Sequence, residues 1–262
     1  MITLKNDKEI ALLDHASRIV LEVLEDLRLA VRPGISTGEL DRLAEAGVIQ
    51  RGGKLAFKGL YGFPATICIS INEELVHGIP SPKRILNAGD IISLDMGAIY
   101  EGFYGDAAIT LGVGDISMEA QQLIETTRQC LYRGIAAAQP GGRIGDIGAA
   151  IQPFAEERGY SVVRDYLGHG IGRKLHEAPQ VPNYIGGPDA GKKIVPGLAL
   201  AIEPMINCGT ADTVKLGDDW TVATRDGRLC AHFEHSLIVT AAGPRILGID
   251  PAESDSRLKL AA

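Results

Sequence analysis

Between residues 7 and 29 the apolar side chains fall at Ile10, Leu13, Ala16, Ile19, Val20, Val23, Leu24 and Leu27. Steps of three and four place them on one side of a helix and leave the other side wet. A Pro-Gly break at Pro33 and Gly34 stops this helix, and Ser36-Thr37-Gly38-Glu39 reads as the capped start of a second one reaching about Glu45. The pattern then alternates, as a strand's does. The same order returns later: a helical stretch from about Met118 to Ala138, a Pro-Gly break at Pro140 and Gly141, another helix to Arg158, and more strands.

The two copies are in step. Asp95 stands 62 residues after Pro33, and Glu203 stands 63 after Pro140. Each closes an apolar run, Gly89-Asp90-Ile91-Ile92-Ser93-Leu94-Asp95 in the first copy and Gly197-Leu198-Ala199-Leu200-Ala201-Ile202-Glu203 in the second. A pseudo-repeat over about 7–115 and 118–248 follows, inside one domain spanning 1–262. Two α+β halves facing each other would bring these carboxylate-tipped strands to the seam, where ligand sites commonly form.

Around Asp95 the chain reads as strand, turn, strand. A turn centred between Tyr100 and Glu101 would set Asp95 directly opposite Asp106, about 5 Å apart at Cβ; a bulge at Gly102 or Gly105 would shift that register. Two carboxylates facing each other in a mostly buried sheet require a proton or a cation between them. The second half offers a similar pair in Glu203 and Glu234, with Asp226-Gly227 as a hairpin signal leading into the strand that holds Glu234. Pro204 cannot donate to a ladder, so the strand is interrupted where Glu203 would project. Between the acidic pairs lies His169 in Leu167-Gly168-His169-Gly170-Ile171-Gly172, flanked by glycines that allow close backbone approach. Neutral imidazole with carboxylates suits divalent first-row metals.

Several other classes are excluded. GHGIG lacks the Gly-Lys-Ser/Thr ending of a phosphate loop and the spacing of a dinucleotide fold. His176-Glu177-Ala178-Pro179 lacks the second histidine of a His-Glu-x-x-His zinc helix, and Pro179 opposes a continuing helix. The four cysteines, Cys68, Cys130, Cys208 and Cys230, form no C-x-x-C pair and suit neither a disulfide scaffold nor a thiolate zinc site. A net charge of -7 offers no basic stripe for nucleic acid. With 45% hydrophobic and 23% charged residues the chain should fold as an ordinary globular protein. No apolar run reaches membrane-spanning length and no signal peptide opens the chain, so the expected location is the cytoplasm.

Five ordered segments resemble the methionine aminopeptidase family: CISINEELVHGIP around His77, SLDMGAIYEGFYGDAA around the aspartates, GHGIGRKLHEAP around the histidines, AIEPMIN around Glu203 and FEHSLIV around Glu234. The resemblance runs from about residue 5 to 248 and is to the short bacterial form, without the insertion between His169 and Glu203 that marks the eukaryotic-archaeal type. It implies an α+β pita-bread fold, two pseudo-symmetric halves with antiparallel sheets covered by helices and a metal site at the seam. It further implies two divalent ions, cobalt, manganese, iron or zinc, held by Asp95, Asp106, His169, Glu203 and Glu234. Asp106 and Glu234 would bridge both ions, Asp95 would complete one site, and His169 with Glu203 the other.

The implied activity is removal of an initiator methionine followed by a small residue. The ions would acidify a shared water and polarise the scissile carbonyl. Glu203 would shuttle the proton toward the leaving amine, His176 would bond the developing oxyanion and His77 the departing nitrogen side. Phe63, Cys68 and Trp220 would line the methionine pocket, sulfur against aromatic rings suiting a thioether. The expected partners are amino-terminal peptides and nascent chains at the ribosome, with no direct nucleic acid and no membrane, and the expected state is a monomer. Two positions depart from the family: Leu175 where many members carry an aromatic residue, and Gly97 where some carry a hydroxyl. Rival readings are an Xaa-Pro aminopeptidase or dipeptidase of the same fold, which usually carries a large preceding domain, and a non-catalytic binding module, which would have lost ligands.

Overall fold

The structure is a computed structural model describing residues 2–259. Helix α1 spans Asp7–Ala30 and opens on a capping box: the Asn6 side chain accepts from the backbone of Lys8 and Glu9, and Glu9 answers on the Asn6 N–H. Helix α2 spans Thr37–Gln50, capped by Ser36 Oγ on the Glu39 N–H. It runs a turn beyond the expected end near Glu45 because Leu40, Ala44 and Val48 continue one buried stripe until Gly52, at φ +76°, turns the chain away. In the second half α3 (Met118–Ala137) and α4 (Ile144–Glu156) recur in the same order, and α5 (Pro251–Lys259) follows the last strand. Ser117 caps α3, and the Asp146 carboxylate takes the Arg143 N–H at the head of α4.

These helices cover a nine-stranded antiparallel sheet. Its path runs Lys54–Leu55, Ile91–Tyr100, Phe103–Gly112, Glu234–Thr240, Ala199–Ile202, Gly168–Gly170 and Glu177–Val181, with Ile67–Ile71 and Gly243–Ile246 pairing from the side. Strand alternation divides the two faces. Ile92, Leu94 and Met96 turn toward α1 and α2 and pack with Ile19, Val23 and Leu40, while Leu200, Ile202 and Leu237 pack with Leu131, Ile147 and Ile151 of α3 and α4. Each such buried side chain contributes about 1.5–3 kcal/mol from apolar area alone. The residues between them face away from the helices.

Two expected details are corrected. The turn joining the central strands centres between Glu101 and Gly102, both at positive φ (47° and 80°), so Tyr100 pairs with Phe103. This two-residue turn with glycine second matches the strand twist. Asp106 therefore opposes Gly97, and Asp95 opposes Ala108; the aspartates share a face but sit diagonally. At Asp226-Gly227 the turn exists, yet it joins no hairpin: Val222–Thr224 pairs with Thr213–Lys215 and Glu74–Val76, whereas Cys230–His232 pairs with Met205–Asn207. The Asp226 carboxylate is spent on the N–H groups of Thr210 and Arg228, which steers the chain from one small sheet to another.

Candidate metal centre and substrate cleft

The ladder registers bring the acidic residues together. Asp95 opposes Ala108, Ala108 opposes Glu234, His169 opposes Ala201, and Ala201 opposes Ser236. Paired residues share a face, as do residues two apart. By that rule Asp95, Asp106, His169, Glu203 and Glu234 all belong to the face turned from the helices. Small residues, Ala108, Ala201, Gly97 and Ser236, lie between them and leave room.

Two of the carboxylates stand where strands change sheets. Ala199–Ile202 belongs to the large sheet and Met205–Asn207 to a small one, with Glu203 and Pro204 at the step. Cys230–His232 and Glu234–Thr240 make the reverse step at Phe233, and the Phe233 N–H donates to the Pro204 carbonyl at 3.4 Å. The interruption expected from Pro204 is thus half of a matched pair. His169 is set by close packing: a Cβ on Gly168 would lie 2.4 Å from the Ala201 oxygen, and one on Gly170 2.3 Å from the Ala178 oxygen. Only glycine fits on either side.

Ligand atoms of Asp106, His169 and Glu234 lie within 4.8 Å of one another. His169 Nε2 is 3.8 Å from Asp106 Oδ2 and 3.6 Å from Glu203 Oε1. Its Nδ1 is 2.9 Å from the Gly170 carbonyl, which can only accept, so the proton is on Nδ1 and the Nε2 lone pair points at the carboxylates. Burial pushes the His169 pKa down to about 3, so these contacts are not ion pairs. Burial raises Asp95 to about 7, and burial with mutual repulsion raises Asp106, Glu203 and Glu234 well above the carboxylate range. Asp106 Oδ1 and Glu234 Oε1 are buried without a hydrogen-bond partner. Orphaned acceptors and crowded carboxylates around a free imidazole lone pair fit divalent cations, which would relieve both penalties.

All ten candidate ligand, catalytic and substrate-binding residues line one cleft. At its apolar end Phe63 meets Trp220 edge-on, with ring centroids 5.2 Å apart, above Cys68 and Leu175. Burial and the nearby Asp95 and Asp106 hold the Cys68 thiol protonated, so it is a wall and not a nucleophile. His77 stands at φ +61° beside Trp220, with burial lowering its pKa. His176 packs edge-on to His169 at 4.5 Å between centroids.

Residues 11–241 match the profile of Metallopeptidase family M24. The chain is 50% identical to a methionine aminopeptidase of Clostridium acetobutylicum over 94% of this chain and 98% of that one. It belongs to the methionine aminopeptidase family. The fold agrees: a crystal structure of methionine aminopeptidase from Thermotoga maritima superposes with a TM-score of 0.92 at 41% identity, covering 95% of this chain and all of that one. An Xaa-Pro dipeptidase from Bacillus anthracis shares the pita-bread fold, at TM-score 0.74 and 24% identity, and this chain covers 62% of it. Family members are metallo-exopeptidases, and the chain is a hydrolase of that kind.

The sequence reading missed a buried histidine beside the carboxylates. His232 is 1% exposed, its Nε2 lies 3.8 Å from Glu203 Oε2, and neither ring nitrogen has a hydrogen-bond partner. Its signal was present in His232-Phe233-Glu234, a histidine two residues before a carboxylate on a strand. Tyr61, Phe57 and Tyr166 also line the cleft. Phe57 and Tyr166 come from loops and Tyr61 from the three-residue 3₁₀ turn Leu60–Gly62, where no periodicity announces an inward side chain.

Proposed function

We propose that this chain removes amino-terminal methionine from peptides and nascent proteins whose second residue is small, as a single catalytic unit in the cytoplasm. What carries the reading is the convergence of Asp95, Asp106, His169, Glu203 and Glu234 on one sheet face beside an aromatic and sulfur-lined pocket. Asp106 and Glu234, with the orphaned oxygens, would hold two divalent ions together with Asp95, His169 and Glu203. Such ions supply Lewis acidity toward a carbonyl and make water acidic enough to attack at neutral pH.

The chain's own groups do the rest. Glu203, at the open edge of the cluster, accepts the proton of the attacking water and returns it to the leaving amine. His176 donates to the carbonyl oxygen as it gains charge, and His77 bonds the nitrogen side. Phe63, Cys68 and Trp220 enclose the methionine side chain. Assays with Met-Ala-Ser, Met-Lys and Ala-Pro peptides on chelated and metal-reloaded protein test this. Turnover of Met-Ala-Ser alone, abolished by chelation and restored by metal, is expected. Activity after complete chelation would remove the metal mechanism, and preference for Ala-Pro would favour an Xaa-Pro enzyme.

A further inference from the structure

The loop that carries His176 has little behind it. Gly172 to His176 runs between the cleft and a second depression lined by Lys5, Glu9, Phe103 and Arg173, so it is packed on neither side by a continuous layer. Leu175 is buried in the cleft wall, and the Tyr104 N–H donates to the Gly172 carbonyl at 2.9 Å. Arg173 adds contacts with Glu9 and the Phe103 ring, Glu177 pairs with Gly170 at the start of its strand, and an ion pair holds the Glu177 side chain. Lys5 Nζ lies 2.7 Å from Glu177 Oε2, and the Lys5 side chain is only 3% exposed. The other Glu177 oxygen accepts from the Lys174 N–H at 3.2 Å, closing the loop on itself.

Lys5 is itself fixed from several sides. Its Nζ also donates to the Thr3 carbonyl at 3.1 Å, its backbone N–H donates to the Gly197 carbonyl at 2.7 Å, and the next residue caps α1. A Cβ on Gly172 would fall 2.5 Å from Glu177 Oε1 and 2.6 Å from Lys5 Nζ, so the pair occupies the room a side chain would take. His176 precedes Glu177 directly. Its ring reaches the cleft against His169 while the Glu177 carboxylate reaches back to Lys5.

We propose that Lys5, acting through Glu177, is a positioning residue that sets the His176 ring for the reaction. The inference rests on the role given to His176 above. A charge-assisted bond whose ammonium is buried holds its partners tightly; without the ammonium, the Glu177 carboxylate turns toward water and carries the neighbouring residue with it. A displacement of about 1 Å at a reacting group can cost 10²-fold in rate.

Steady-state kinetics with Met-Ala-Ser on metal-reloaded Lys5→Met, Glu177→Gln, His176→Ala and the two double variants test the proposal, with metal stoichiometry measured by calorimetry. Lys5→Met is expected to keep its metal and KM and lose about 10 to 10²-fold in kcat. In the His176→Ala background the same change should cost nothing more. Glu177→Gln keeps the shape without the charge and should give a smaller loss with the same dependence on His176, which preserves the test if Lys5→Met does not fold. Equal losses in both backgrounds, or unchanged kcat in either single variant, would overturn the proposal. If His176→Ala alone leaves kcat intact, it is the functional reading of His176 that fails.

Discussion

Asp95 and Glu234 face one another across Ala108, all three in one row of the sheet. The methyl of Ala108, fully buried, is the only side chain separating two carboxylates in that row. Ala108→Leu should therefore fill the space where cations would sit. Overpacking of this kind costs about 1–3 kcal/mol, which leaves the fold intact while metal binding is lost. Circular dichroism beside a calorimetric metal titration would show it; normal stoichiometry in this variant would mean that the ions lie elsewhere.

Ligands and substrate-facing histidines should fail differently. Asp106→Asn replaces a buried carboxylate by an amide that bridges cations poorly, so at least one ion and the activity should disappear together. His77→Ala and His176→Ala remove groups proposed to bond developing charge, and should keep metal while losing about 10² to 10³-fold in rate. Metal titrations with single-turnover kinetics separate the two. Complete metal loss in either histidine variant would show that the division is drawn in the wrong place.

The acidic cluster also sets how metal-free protein responds to pH. Asp95 is raised to about 7 from an ordinary 3.8, and burial with mutual repulsion raises Asp106, Glu203 and Glu234 well above the carboxylate range. A carboxyl with a raised folded-state pKa makes the folded state bind more protons than the unfolded one, so stability falls as pH rises through the folded value. His169, His232 and His235, lowered to about 3, act oppositely, but their contribution is complete above their ordinary 6.5. From about pH 6.5 upward, through the Asp95 value of about 7, the raised carboxylates lower stability with no further histidine gain to offset them. Metal-free protein should lose melting temperature across that window, and saturating divalent ion should abolish the loss. A flat profile without metal would show that the carboxylates are better solvated than their burial implies.

The repeated helix pairs, the carboxylate-tipped strands and the glycine-flanked His169 were legible because each rests on a local rule: helical period, strand alternation, or close backbone approach. The register of Asp95 and Asp106 was not. It depends on which two residues make the turn, and Glu101 entering positive φ moves every partner by two positions while keeping the face. His232 escaped because its burial behind Glu203 comes from two strands that change sheets together, a relation with no short-range signature. The Lys5–Glu177 pair, 172 residues apart in sequence, is equally invisible until the chain is folded.

Gly97 shows what one departure from the family pattern does to the pocket. It lies on the cleft face opposite Asp106, and a Cβ there would sit 3.0 Å from both Ala56 Cβ and Phe57 Cε1. Phe57 thus occupies the space that a larger residue at this position would claim, and it packs in the same cluster as Phe63, Cys68 and Leu175. Gly97→Thr should push the Phe57 ring into the proposed methionine pocket, at a stability cost of about 1–3 kcal/mol for overpacking. The loss is of substrate binding, so KM for Met-Ala-Ser should rise several-fold while metal stoichiometry stays and kcat changes little. Trimming the neighbour with Phe57→Leu in the same background should restore KM. An unchanged KM in Gly97→Thr, or a loss that Phe57→Leu does not relieve, would mean that Phe57 is packing against the outside of the site and takes no part in holding methionine.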